Sequence, residues 1–263
     1  IIQKKLTYVC EPSLLEYVNV FIITVPTPIN KSNKPNLSLL KAASLLVGKY
    51  IKKNSTVIYE STTYPGCTEQ FCIPILEKVS KLKFNNDFNV AYSPERVNPG
   101  DKVNKLKNIT KIVGANDPKT LKITKNLYKK IVKSIYEAKK IKIAESAKVI
   151  ENIQRDINIA LVNELSVLLN KLKIPTNDVL KAAASKWNFH YYKPGLVGGH
   201  CISVDPYYLA YEAKNNNYTP KLILSGRRFN ENMGKYLSVQ VLKLLIKNKI
   251  DLSKSRIAIL GFH

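Results

Sequence analysis

Three stretches of this sequence hold side chains able to do chemistry on a bound ligand. The first is a set of strand ends: Val25-Pro26-Thr27-Pro28, Glu60-Ser61-Thr62-Thr63 and Ser93-Pro94-Glu95-Arg96, each following a short apolar run. In open parallel sheets ligands bind beyond the carboxyl ends of the strands. One such end is ordinary turn chemistry, but three in succession gather hydroxyls and a charge pair at one edge and mark a site. The second is Lys148 with Asn152, which at i and i+4 share one helix face. A lone helical lysine is usually solvated, so this pair gains meaning only beside other groups. The third is Lys193-Pro194-Gly195-Leu196-Val197-Gly198-Gly199-His200-Cys201-Ile202-Ser203-Val204-Asp205-Pro206. Its glycines let a backbone approach a ligand closely, and a thiol follows directly. Taken alone, Cys201 reads as a small buried hydrophobe. Asp205 reads as a helix N-cap with Pro206 at N1, a role compatible with proton transfer.

Composition narrows the chemistry. His190, His200, Cys201 and Asp205 lack the spacing of zinc ligands, so no metal site is expected. The four cysteines, Cys10, Cys67, Cys72 and Cys201, form no C-x-x-C pair, which predicts reduced thiols and a cytoplasmic setting. The formal charge is +23, carried mostly by lysines scattered among Asn and Ile. That pattern favours a general attraction for anionic substrates over a specific nucleic-acid surface. No run approaches the roughly 18 apolar residues of a membrane span. The N-terminal residues have neither an initiator Met nor a signal-peptide layout, and the chain reads as the middle of a longer protein.

The candidate residues need a frame. Residues 20–25 are a buried-strand run stopped by Pro26, residues 56–59 and 89–92 are two more strands, and 111–114 a fourth. Asn36 can cap a helix with Leu39, Leu40, Ala43, Leu46, Val47 and Ile51 at helical spacing. A second helix runs from about 68 to 81, and Asp117-Pro118 opens a third. The alternation predicts an α/β fold with a doubly wound parallel sheet. It is a partial Rossmann-like sheet, because no G-x-G-x-x-G turn precedes Val20. From 144 to about 173 the apolar period is purely helical, giving a helix of about 40 Å that connects two domains. Helices at about 177–185, 206–215 and 222–247 make an all-helical central domain. Residues 256–261 read as the first strand of a truncated second α/β domain.

Together these clusters resemble the UDP-glucose/GDP-mannose dehydrogenase family. Val-Pro-Thr-Pro at 25–28, Ser-Thr-x-x-Pro-Gly at 61–66, Ser-Pro-Glu-Arg at 93–96, Lys-x-x-x-Asn at 148–152 and Gly-Gly-x-Cys-x-x-x-Asp at 198–205 occur in that family's order and spacing. The resemblance covers nearly the whole chain. It implies an NAD-dependent, four-electron oxidation of a sugar C6 hydroxyl through a cysteine thiohemiacetal and thioester. Cys201 matches the nucleophile, Lys148 and Asn152 the groups that steady the oxyanion and a water, and Asp205 the carboxylate that assists hydrolysis. Thr62 and Glu95 match the hydroxyl and acid of the second and third strand ends. Val25, Pro26, Thr27, Thr62 and Glu95 would lie on the NAD side. Tyr192, Gly195, Val197, Gly198, Gly199 and Arg227 would lie on the substrate side.

The departures are specific. UDP-glucose-type members carry a second glutamate where Pro99 stands here, and their arginine ahead of the glycine loop is replaced by Ser185-Lys186-Trp187-Asn188-Phe189. Ser203 and Thr63 differ as well. Lys186-Trp187-Asn188-Phe189, Asp205-Pro206-Tyr207-Tyr208-Leu209 and Gly226-Arg227-Arg228-Phe229-Asn230 look instead like the branch acting on UDP-N-acetylglucosamine or UDP-N-acetylgalactosamine for surface polysaccharides. The expected division is a partial NAD-binding domain at 1–143, a long helix and helical domain at 144–250, and the start of a UDP-binding domain at 251–263. A homodimer through the long helix is expected, as is inactivity of these 263 residues alone. Two other readings compete: a non-catalytic remnant of such an enzyme, and a Lys-rich polyanion-binding module. A glycine-rich turn encoded upstream favours the enzyme over the remnant; steep salt dependence on polyanions favours the module.

Overall fold

The computed structural model describes residues 7–97, 100–199 and 202–260. Five strands form one sheet in the order β1 (Val20–Ile23), β2 (Thr56–Tyr59), β3 (Asn89–Tyr92), β4 (Thr110–Ala115) and β5 (Ser134–Ala138). The helices are α1 (Ser38–Tyr50), α2 (Ile73–Ser80), α3 (Pro118–Tyr128), α4 (Ile141–Lys171), α5 (Thr176–Ala183), α6 (Asp205–Asn215) and α7 (Lys221–Lys247). A π-helical turn, Thr68–Cys72, leads into α2, which stops at the left-handed Lys81.

Local chemistry accounts for the boundaries. Asn36 accepts a hydrogen bond from the Ser38 amide at 3.1 Å where α1 begins. Asp117 caps α3 by accepting from the Thr120 amide at 2.8 Å, with Pro118 at N1. β2 and β3 are buried at every residue, as continuous apolar runs in a covered sheet require. Ile58 of β2 and Ala91 of β3 share a core with Val113, Ala115, Tyr128 and Val132.

Three details differ from the sequence reading. The sheet is mixed, since β1, β2 and β3 are parallel but β4 runs antiparallel to β3, with Ala91 opposite Ala115. A parallel neighbour needs a crossover, usually helical, and no helix stands between Tyr92 and Thr110 among the described residues. β5 is an additional strand, parallel to β4. Residues 256–260 make no sheet pairing among the described residues; a strand needs a partner to hold it.

Two compact units divide inside α4, Ile1–Ile150 and Glu151–His263. The first holds the sheet with α1–α3 and the start of α4. The second is helical, and α6 packs on α7 within it.

The seat of α4 on the sheet depends on Gly114. A Cβ there would lie 2.7 Å from Ala144 Cβ and 3.0 Å from the Lys140 carbonyl oxygen, too close for either to remain in place. Gly114→Ala is therefore expected to cost about 1–3 kcal/mol through overpacking, read as a lower urea midpoint at unchanged slope. An unchanged midpoint would show that the helix start is not seated on β4.

Candidate active site

Because β1, β2 and β3 are parallel neighbours, their carboxyl ends share one edge. Hydrogen bonds knit those ends together. The Thr27 hydroxyl donates to the Thr62 carbonyl at 2.6 Å, Ser61 Oγ to the Val25 carbonyl at 2.7 Å, and Tyr92 OH to the Ser61 carbonyl at 3.1 Å. Val25, Thr27 and Thr62 are half-buried, while Pro26 is exposed. Glu95, at the end of β3, is exposed and accepts from the amides of Arg96 and Val97, each at 2.7 Å. The first unit thus brings Val25, Pro26, Thr27 and Thr62 to one rim, beside the end of β3.

Helix α4 carries a line of polar side chains on its buried face: Glu145, Lys148, Asn152, Asp156 and Asn163. Glu145 is 0 % exposed. Its carboxylate accepts from the Gly66 amide at 2.5 Å, the Thr68 amide at 2.9 Å, Thr68 Oγ1 at 2.7 Å and Thr63 Oγ1 at 3.1 Å. Gly66 has φ +97°, a left-handed conformation that favours glycine. Burial pushes the Glu145 carboxyl up, against the pull of the four donors. Sequence reasoning missed this residue. The available signal was an acid three positions before Lys148, in phase with the buried Ile141, Ala144 and Val149.

Lys148 is 8 % exposed and has no hydrogen-bond or ion-pair partner among the described residues. An ammonium held that way offers its donors to an incoming oxyanion. One turn on, in the second unit, Asn152 Nδ2 donates to Asp205 Oδ2 at 2.6 Å, and both residues are buried. This corrects the expected capping role. α6 starts at Asp205 itself, Val204 precedes it without a side-chain cap bond, and the carboxylate is turned to Asn152.

The glycine loop is held from α4. Asn163 accepts from the Gly195 amide at 2.8 Å and donates to the Gly195 carbonyl at 3.0 Å. It also donates to Asn230 Oδ1 at 2.8 Å, and Asn230 donates to Asp156 Oδ1 at 2.7 Å. Arg227 is 1 % exposed and is held by Asp156 at 2.5 Å and by Glu231 at 3.5 Å. Its Nη1 lies 3.5 Å from the Ile202 carbonyl. Tyr192 and Val197 are half-buried, and Gly195, Gly198 and Gly199 are exposed. His200 and Cys201, like Pro99, lie outside the described residues.

Residues 3–132 match the NAD binding domain of the UDP-glucose/GDP-mannose dehydrogenase family, and residues 142–232 match its central domain. The chain belongs to that family. The coenzyme of the matched domain is NAD. Over 258 residues the chain is 51 % identical to the UDP-N-acetyl-D-glucosamine 6-dehydrogenase of Salmonella typhi, covering 98 % of this chain and 61 % of that protein. It is 50 % identical over 248 residues to the enzyme of the same name from Pseudomonas aeruginosa, covering 94 % and 59 %. Among solved structures, the UDP-D-ManNAc dehydrogenase of Pyrococcus horikoshii superposes with a TM-score of 0.87 at 35 % identity, over 95 % of this chain and 59 % of that one. The chain thus spans about three-fifths of the length of these relatives.

The Glu145 clamp has two measurable consequences. Glu145→Ala leaves four donors unpaired and is expected to cost on the order of 3 kcal/mol, read by urea unfolding. The raised carboxyl sets the sign of the pH dependence. Glu145 ionises first in the unfolded chain, near its ordinary value of 4.5, so its contribution falls as pH rises from there through the raised folded value. Relative to Glu145→Gln, the wild type should therefore lose stability across that window. Parallel stability–pH curves would contradict the burial of an ionisable group here.

Proposed function

We propose that this chain carries the coenzyme-side and catalytic segments of an NAD-dependent UDP-N-acetylhexosamine 6-dehydrogenase. The observation that carries the reading is the buried pair of Asn152 and Asp205, set one helical turn beyond the buried ammonium of Lys148. The relatives from Salmonella typhi and Pseudomonas aeruginosa, at about half identity, support N-acetylglucosamine in UDP-linked form as the sugar. In this reading residues 1–143 form the partial NAD-binding domain, 144–250 the helical domain, and 251–263 the start of a UDP-binding domain.

The rim of Val25, Pro26, Thr27 and Thr62 suits the nicotinamide end of the coenzyme: it is polar, half-buried and at the carboxyl edge of parallel strands. Two NAD molecules, bound in turn, would each accept one of the two hydrides that a four-electron oxidation releases. The chain's own residues do the rest. Asp205 takes the proton of the C6 hydroxyl through a water held by Asn152 as the first hydride leaves. The Cys201 thiolate adds to the aldehyde carbon, and the ammonium of Lys148 stabilises the resulting alkoxide. Loss of the second hydride leaves a thioester. Water, deprotonated with help from Asp205, cleaves it to the carboxylate and frees the thiol. Thr62 and Glu95 orient the sugar C6 against the coenzyme edge, and Tyr192 to Gly199 with Arg227 form the sugar-diphosphate side.

The reading extends to assembly and setting. Leu161, Leu165 and Leu168 recur at helical spacing on α4, Leu172 directly follows its end, and all four are exposed. Such a stripe supports a homodimer through this helix. A cytoplasmic place and a role in surface-polysaccharide synthesis follow from the substrate assigned.

The test uses the chain joined to the remaining length of the Salmonella typhi relative, of which it covers 61 %. Turnover of UDP-N-acetylglucosamine with NAD is expected in that protein and not in the 263 residues alone. Cys201→Ser should abolish formation of the acid, because a hydroxyl without an activating base is a far weaker nucleophile. Lys148→Ala should lower kcat by about a hundredfold or more, as losing an oxyanion donor does, with little change in KM. Acid formation at the wild-type rate by Cys201→Ser would overturn the reading. A raised KM at unchanged kcat would make Lys148 a binding residue.

A further inference from the structure

Beneath the strand-end rim lies a buried cation that the proposed chemistry does not use. Lys111, in β4, is 2 % exposed. Its ammonium has three protons to donate and meets three acceptors: Glu60 Oε1 at 3.0 Å, the Pro94 carbonyl at 3.3 Å and the Ser93 carbonyl at 3.4 Å. The Tyr128 ring lies 4.8 Å from the nitrogen, within cation–π range. The Tyr128 hydroxyl donates to the same oxygen of Glu60. Burial, and then the bond to Glu60, push this hydroxyl's pKa well up and keep it a donor.

The acceptors lie on two different strand ends. Glu60 directly follows β2 and stands two residues before Thr62; Ser93 and Pro94 directly follow β3 and precede Glu95. A buried charge pair is a poor way to gain stability, since apolar residues of similar volume often do as well or better. Its directional bonds do fix geometry. Nor does the mixed sheet supply this link by itself: the backbone ladder joins β2 and β3 as far as the Ser93 amide, which donates to the Tyr59 carbonyl at 2.9 Å. Lys111 reaches past that last rung and gathers the two chains where they leave the sheet.

We propose that Lys111 is a positioning residue for the coenzyme side of the site, holding the ends of β2 and β3 together so that Thr62 and Glu95 are presented at a fixed separation. This rests on the reading of Thr62 and Glu95 as site residues. It does not depend on which sugar is oxidised, so the test reads NAD binding rather than turnover.

The experiment compares Lys111→Met, Glu60→Gln and the double variant with wild type, in the chain joined to the remaining length of the Salmonella typhi relative. NAD affinity is measured by calorimetric titration and Tm by thermal unfolding. Lys111→Met leaves the half-buried Glu60 without its counter-charge and should lower Tm. The double variant removes both charges and should regain most of that loss. If Lys111 positions the strand ends, the double variant still binds NAD more weakly than wild type by at least about tenfold, the scale of losing charge-assisted hydrogen bonds. Glu60→Gln keeps an acceptor for the ammonium and should stay closer to wild type than either Lys111 variant. Wild-type NAD affinity in the double variant, or affinity that simply tracks Tm across the set, would overturn the proposal. So would failure of both Lys111 variants to fold, which would make the residue structural. Absence of UDP-sugar turnover in the wild-type protein, with NAD bound normally, would instead count against the assigned reaction alone.

Discussion

Glu145 has no access to solvent and accepts four hydrogen bonds from the Thr63–Thr68 loop, and that arrangement fixes where the first turn of α4 sits against the carboxyl end of β2. The loop begins one residue after Thr62, and Lys148 stands one turn along the same helix. A helix packed by apolar contacts alone could slide or rotate by a fraction of a turn at small cost. A carboxylate that must meet two amides and two hydroxyls cannot, because each bond weakens steeply with distance and angle. The site therefore inherits its geometry from a contact that itself touches no ligand.

The same logic continues along α4. Asn152 engages Asp205, Asp156 engages Arg227 and Asn230, and Asn163 engages the Gly195 backbone. Burying so many polar groups costs free energy unless each finds a partner. Most do here, although one oxygen of Asp156 has none among the described residues. Specific pairing to regular secondary structure is how a fold holds catalytic groups more tightly than a loop could. Lys148 breaks the pattern: among the described residues it is buried and unpaired.

Much of the frame was legible in the sequence, for identifiable reasons. β2 and β3 are buried at every residue, so their apolar runs gave their limits directly. Asp117-Pro118 announced α3 through cap chemistry that needs only neighbours. β5 was not legible, because Ser134, Tyr136 and Glu137 are exposed at the sheet's edge and present no apolar run. The direction of β4 was hidden too, since an apolar run encodes burial and not polarity. The family was legible from the ordered motifs. The network that supports the site was not: Glu145 lies 77 to 82 residues from its partners and Lys111 some 17 from Pro94, and no local pattern records such pairings. Asp205 shows the opposite error. Its local setting before Pro206 pointed to a cap, and a distant amide on α4 prevails.

The reaction assigned to this framework is a double oxidation at one carbon, and its electron count is the most direct test. The chain joined to the remaining length of the Salmonella typhi relative is given limiting UDP-N-acetylglucosamine and excess NAD, and NADH is counted at completion with the product identified by mass. Two NADH for each sugar, with the UDP-linked uronic acid as product, are expected. One NADH for each sugar, with the aldehyde accumulating while Cys201 is intact, would contradict the mechanism.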